Sequence, residues 1–148
     1  MDRPQRLQSY IEAFEQLTPE SLSKLGELFS EEVYFKDPFN AVNGKPATIA
    51  IFQHMFATTQ NPKFIVIDAA MEGDMAMLYW KFHFQLPSKN SSNPKEQMIE
   101  GMSRVCFDEQ DLVKEHIDYW DPAEQIYSQV PVISWLLNLI RKRLSVPT

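Results

Sequence analysis

The sequence predicts an α+β fold: a curved antiparallel sheet packed on N-terminal helices, followed by a C-terminal helical region. Three observations carry this. Apolar residues recur at helical spacing near the N-terminus, as in Leu7, Tyr10, Ile11, Phe14 and Leu17. From residue 62 the period changes to two. The polar turns Glu72-Gly73-Asp74 and Asp108-Glu109-Gln110-Asp111 then fold the later strands back on one another. Helices first and hairpin-linked strands afterwards is the order of an α+β domain.

Residues 4–17 read as a first helix. Thr18-Pro19-Glu20-Ser21 restarts the chain, with Thr18 as the cap, Pro19 at the first helical position and Ser21 neutral. A second helix then buries Leu22, Leu25, Leu28 and Phe29, and residues 33–36 form a short strand ending at Asp37. A third helix spans 46–57 and carries Ile49, Phe52, Met55 and Phe56. Strands follow at 64–70, 75–86, 97–107 and 112–120, and residues 87–94 are read as a hairpin tip. On the strand 75–86, Trp80, Phe82, Phe84 and Leu86 share one face, while Tyr79, Lys81, His83 and Gln85 share the other. Asp121-Pro122 stops the last strand. Residues 123–144 form a closing helical region interrupted near Pro131. The organisation is thus one domain over 1–122 with residues 123–148 as its C-terminal helical extension.

Composition bounds the function. A chain of 148 residues, 44% apolar and 23% charged, can bury a real core. Its net charge of −6 argues against nucleic acid, because binding phosphates needs a concentrated basic surface. The one cysteine, Cys106, cannot close an intramolecular disulfide, and with three histidines no ligand set for a metal is evident. There is no glycine-rich phosphate loop among the four glycines, so no cofactor is expected. The polar N-terminus and the lack of a long apolar run make a cytoplasmic protein the expectation and a membrane role an unfavoured one.

The stretch richest in chemistry is Tyr34-Phe35-Lys36-Asp37-Pro38-Phe39-Asn40. Proline disfavours helix at the residue before it, so Asp37 should be extended at a strand end or turn. Taken alone, this favours an aspartate that opens a turn through its own backbone over one that enters a cavity. Further on, strand alternation puts His116, Asp118 and Trp120 on one face.

The ordered residues Tyr10-Ile11-Glu12, Glu31-Glu32-Val33, Asp37-Pro38-Phe39, Gly44, Phe107-Asp108-Glu109 and Tyr119-Trp120 resemble the nuclear transport factor 2-like superfamily, in particular its SnoaL-like and ketosteroid-isomerase-like members. The resemblance covers residues 5 to 122. It implies a cone-shaped α+β barrel, usually dimeric, with a deep apolar pocket for a small apolar molecule. It also implies that Asp37 stands where the isomerases keep their base and Tyr10 where they keep an oxyanion donor. Ser103 replaces the acid of that oxyanion hole, and a serine is the weaker donor. Asp118-Tyr119-Trp120-Asp121 resembles a motif of the limonene-epoxide hydrolases, but their Arg-x-Asp partner is missing from the face of Trp80, Phe82 and Phe84. In SnoaL-like cyclases an aspartate on a late strand moves the proton, and Asp118 is the candidate counterpart.

These readings converge on a cofactor-free isomerase or cyclase that moves a proton on a small apolar carbonyl compound, steroid-like or polyketide-like. Asp37 is the expected base, Tyr10 the oxyanion donor, and Asp118 with His116 the second acid/base. Trp120, Ser103, Trp80, Phe82, Phe84 and Phe52 are the expected binding residues. The competing reading for His116 and Asp118 is that they pair to satisfy buried polar atoms. The competing function is a non-catalytic module that binds a hydrophobic ligand or a partner chain. The apolar stripe of Ile126, Val130, Ile133, Leu136, Leu137 and Ile140, followed by Arg141-Lys142-Arg143, is expected to pack on its own body first and in a homodimer second. Trp135 is placed to reach the pocket opening.

Overall fold

The structure is a computed structural model and describes residues 3–86 and 95–146. The predicted hairpin tip at 87–94 therefore lies outside the described residues.

The first helix, α1 (Gln5–Glu15), buries Leu7, Tyr10, Ile11 and Phe14. That spacing of i, i+3, i+4 and i+7 is the one that lays a stripe along a helix. Arg6 ties the helix start to two turns of the sheet, reaching Asp74 and Asp111 at 3.0 Å each. At its other end Glu15 accepts from the backbone amide of Val66 at 3.0 Å. Val66 lies on an edge strand of the sheet, where amides on the open side have no ladder partner.

The restart at Thr18 is a reciprocal capping box. The Ser21 amide donates to Thr18 Oγ1 at 3.2 Å and the Thr18 amide to Ser21 Oγ at 2.9 Å, so Ser21 is an active member and not neutral. A 3₁₀ turn (Pro19–Ser21) leads into a short α2 (Leu22–Gly26). The predicted second helix ends early because the sheet captures the chain: the Val113 amide donates to Leu28 O at 2.8 Å, and Phe29 opens strand β1 (Phe29–Lys36).

After β2 (Ala41–Asn43), α3 (Lys45–Thr58) crosses over to β3 (Gln60–Glu72), β4 (Met75–Leu86), β5 (Lys95–Phe107) and β6 (Val113–Tyr119). The sheet order is β2-β1-β6-β5-β4-β3. Two expectations are corrected. The sheet is mixed, because β1 runs parallel to β6 with Phe35 opposite His116. It is also an open curved sheet with β2 and β3 at its edges and no closed barrel. Turns specify the hairpins locally, whereas the β1–β6 pairing joins residues some eighty positions apart and leaves no turn signal.

The concave face carries the core, with Phe29, Phe35, Val105, Phe107 and Val113 almost fully buried beneath the helices, together with Tyr10 of α1. Chain-end packing differs from the expectation. Asp121 caps α4 (Pro122–Gln125), accepting from the amides of Ala123 and Glu124, and a 3₁₀ turn (Tyr127–Gln129) leads to α5 (Pro131–Leu144). Much of the apolar side of α5 faces outward: Val132 is 78% exposed, Trp135 67% and Leu136 50%. The half-buried positions are Ser134 and Leu137, and the helix packs chiefly on the 3₁₀ turn before it. No helix among the described residues is long and apolar enough to cross a membrane.

Candidate functional site

The functional candidate is a cavity between α1, α3 and the concave face of the sheet. Register assembles its polar side. On β5, Ser103 lies opposite Leu78 of β4 and Asp118 of β6, and Val105 lies opposite His116. Alternation therefore brings Ser103, His116 and Asp118 to the same inner face. Trp80 joins them because its neighbour across the ladder is Gly101. A Cβ added there would stand 2.7 Å from Trp80 Cη2, so glycine is what lets the indole lie flat across β5.

These side chains form one buried chain of hydrogen bonds. Trp80 Nε1–H donates to Ser103 Oγ at 2.7 Å, and the Ser103 hydroxyl donates to Asp118 Oδ1 at 2.5 Å. His116 Nε2 reaches the same Oδ1 at 2.6 Å, and Tyr10 Oη meets His116 Nδ1 at 2.6 Å. The pattern assigns the protons. Tyr10 and His116 are almost fully buried, and the phenol hydrogen needs an acceptor. It finds one in an unprotonated Nδ1, so the imidazole proton sits on Nε2 and points to Asp118. Burial holds the Tyr10 hydroxyl well above its ordinary pKa, with the negative charge of Asp118 as the second cause. Tyr10 is thus a neutral donor. Asp118 Oδ1 accepts twice, while Oδ2 has no protein donor among the described residues.

The rest of the wall is apolar. Phe14, Phe52, Phe64 and Trp80 supply aromatic surface, and Ile11, Val66 and Leu78 fill between them. The cavity they enclose is small, about 30 Å³, and opens to solvent at its mouth. Phe35 stacks on the His116 ring at 4.9 Å and an interplanar angle of 23°, fixing the imidazole from behind.

The structure brings together Asp118, His116, Ser103, Trp80 and Phe52 as expected wall residues. It places others elsewhere. Asp37 is the main correction: its Oδ1 accepts from the amides of Phe39 (2.8 Å) and Asn40 (2.7 Å), and both carboxylate oxygens take Asn40 Nδ2 at 3.1 Å. It closes its own turn and does not line the cavity, so the anticipated meeting of Asp37 with Asp118 does not occur. Tyr10 stands behind the wall, its hydroxyl committed to His116 and so not offered to a substrate oxygen. Phe82 and Phe84 are buried on the concave face but beyond the wall, stacked on each other at 4.9 Å. Trp120 packs edge-on to Phe39 at 5.5 Å, also off the wall. Trp135 is exposed on α5 and does not line the opening. The wall residues missed in the sequence are Ile11, Phe14, Phe64, Val66 and Leu78. Phe14 and Ile11 were visible as the α1 stripe, and Phe64 by strand parity, but nothing local told a cavity from solid core.

The chain belongs to the SnoaL-like domain family, whose model matches residues 7–116. Solved structures agree at the level of fold. A putative SnoaL-like polyketide cyclase from Shewanella putrefaciens is 16% identical, with a TM-score of 0.70 over 88% of this chain and 99% of that one. A counterpart from Shewanella denitrificans is 19% identical, with a TM-score of 0.68 over 86% and 100%. An epoxide hydrolase of M. tuberculosis, described as LEH-like, is 10% identical with a TM-score of 0.65 over 90% and 93%. At these identities the likeness is one of fold. No curated protein matches the chain.

Proposed function

We propose that this protein is a cofactor-free acid–base enzyme, an isomerase or cyclase of a small, mainly apolar carbonyl compound, with Asp118 as its base. One observation carries the reading: Asp118 is fixed through Oδ1 by two donors, and Oδ2 has no protein partner among the described residues of an aromatic cavity. A carboxylate in that position can take a proton from carbon and return it at another position or to a new bond. His116 is a positioning residue, held by Tyr10 on one side and Phe35 behind, and Ser103 with Trp80 braces the carboxylate from the other side. The role expected for Asp37 passes to Asp118.

Exchange of carbon-bound hydrogen for solvent deuterium, followed by NMR over a panel of ketones and 1,3-dicarbonyl compounds, tests this directly. Catalysed exchange that disappears in Asp118→Asn supports it. Catalysed exchange that survives in that variant removes Asp118 from the role. A non-catalytic ligand-binding module is the second reading, favoured by the commitment of Asp37 to its turn. It predicts binding without exchange.

A homodimer accompanies this reading. The last 23 residues hold Arg141, Lys142 and Arg143 and no acidic residue. The rest of the chain therefore carries 11 basic against 20 acidic residues, a net −9. An outward apolar helix with a basic end suits the acidic body of a second copy.

A further inference from the structure

Among the described residues, the wall of the cavity offers a ligand a hydrogen-bond acceptor and no free donor. Its polar members are Trp80, Ser103, His116 and Asp118. Trp80 Nε1–H is used by Ser103, and the hydrogens of Ser103 and His116 Nε2 are both used by Asp118. What remains for a ligand is Asp118 Oδ2. Among the described residues no lysine or arginine lines the space, and with His116 neutral the wall carries one uncompensated negative charge. Four aromatic rings complete it.

Such a wall constrains the substrate of the proposed reaction. If Asp118 removes a proton beside a simple carbonyl, the negative charge moves to an enolate oxygen that no donor stabilises. In an apolar setting an unpaired anion is costly. A substrate with a positively charged nitrogen avoids this. Before transfer, the cation and Asp118 form a neutral pair, and aromatic walls favour the cation further. We infer that the cavity selects a compact cationic nitrogen compound, and that the proposed carbonyl substrate is taken as a carbon acid activated by that nitrogen, such as its protonated imine. The step balances within the pair. The C–H bond beside the C=N⁺ breaks and its proton forms an O–H bond on Asp118 Oδ2. The C–H electrons become a C=C bond, the C=N π electrons settle on nitrogen, and a neutral enamine faces a neutral carboxylic acid.

This inference rests on Asp118 being the base, and the test separates the two. The probes are tert-butylammonium chloride and tert-butanol, equal in shape and different in charge, titrated into the full-length protein with the His116 and Trp80 ring NMR signals as readout. The expected result is at least tenfold tighter binding of the ammonium, falling to the level of the alcohol in Asp118→Asn. Circular dichroism and the retained Tyr10–His116 signals establish that the variant is folded. Equal binding of the two probes, tighter binding of the alcohol, or an ammonium preference that survives in Asp118→Asn overturns the inference. If ketones exchange with Asp118 dependence while ammonium binding fails, the cationic substrate falls and the base stands. If Asp118→Asn leaves all exchange intact, the base falls as well.

Discussion

Asp37 and Asp118 are both aspartates in aromatic surroundings, both predicted as acid/base groups, and only one is available to a ligand. Asp37 is followed by Pro38, Phe39 and Asn40, and its carboxylate collects the amides of Phe39 and Asn40 within three residues. Asp118 lies inside β6, where neighbouring backbone amides are engaged in the ladder with β5. Its carboxylate must look across strands, and it finds Ser103 and His116. The difference is one of competition. A turn offers free amides to a short carboxylate at once, whereas a strand flanked on both sides, as β6 is by β1 and β5, offers few. A carboxylate at a strand end before proline is therefore disposed toward structure, and one within a strand on a concave face toward chemistry.

The comparison breaks most readily at Asp118. Asparagine there keeps an oxygen for Ser103 and His116 and replaces Oδ2 by an amide. Hydrogen–deuterium exchange on an active carbon acid should fall by about 10²- to 10⁴-fold, the usual worth of a positioned general base. Asp37→Asn should change the same rate by no more than about threefold, since its carboxylate touches no wall residue. A large rate loss in Asp37→Asn would reverse the assignment.

The next effect concerns the brace. Gly101→Ala should destabilise the fold by roughly 1–3 kcal/mol in chemical denaturation, because its Cβ would meet two Trp80 ring atoms at 2.7 and 2.8 Å. The displaced indole should release Ser103 and show as a shifted Trp80 indole N–H resonance. An unchanged resonance would mean that Trp80 is not held by this close approach.

Tyr10 gives a pH signature. Its pKa is raised in the folded state by burial, while in the unfolded chain it ionises near 10. Between these values the unfolded state has lost the proton and the native state has kept it, so unfolding becomes more favourable as pH rises. The contribution of Tyr10 is fully present below about pH 10 and is lost as pH climbs toward the folded value. Tyr10→Phe should be less stable at neutral pH by about 1–3 kcal/mol, because it leaves His116 Nδ1 buried without a donor. It should also show a shallower alkaline decline. An alkaline slope equal to that of the parent protein would place the relevant ionisation elsewhere.

Much of the fold was legible, and the reason is locality. Strands β4 and β5 and the turns at Gly73 and Asp108–Asp111 follow from alternation and turn residues that are neighbours in sequence. The parallel partnership of Phe35 with His116 was not, and neither was the loss of Leu28 and Phe29 from the second helix, because both depend on a strand far along the chain. The site divides the same way. Strand parity put His116 and Asp118 on one face, but the bond from Tyr10 spans 106 positions and no spacing rule announces it. By its place in the sequence Ser103 is a weakened oxyanion donor. Its actual partners, Trp80 and Asp118, lie on two different strands and became visible only once register was fixed.

The smallest effect is the one on the turn, and it sharpens the contrast with Asp118. Asp37→Ala removes an acceptor shared by the amides of Phe39 and Asn40 and by the Asn40 side chain. The backbone bond from the Asp37 amide to Asn40 O at 2.9 Å remains, and Phe39 is exposed enough for water to replace what is lost. The expected cost is therefore about 1 kcal/mol, comparable with a lost helix cap, read as a lower denaturant midpoint with an unchanged slope. Probe binding in the cavity should stay within twofold of the parent protein. Weakened binding beyond that would show that the turn positions the cavity through β1 and Phe35, whose ring backs His116, and the two aspartates would then belong to one functional unit.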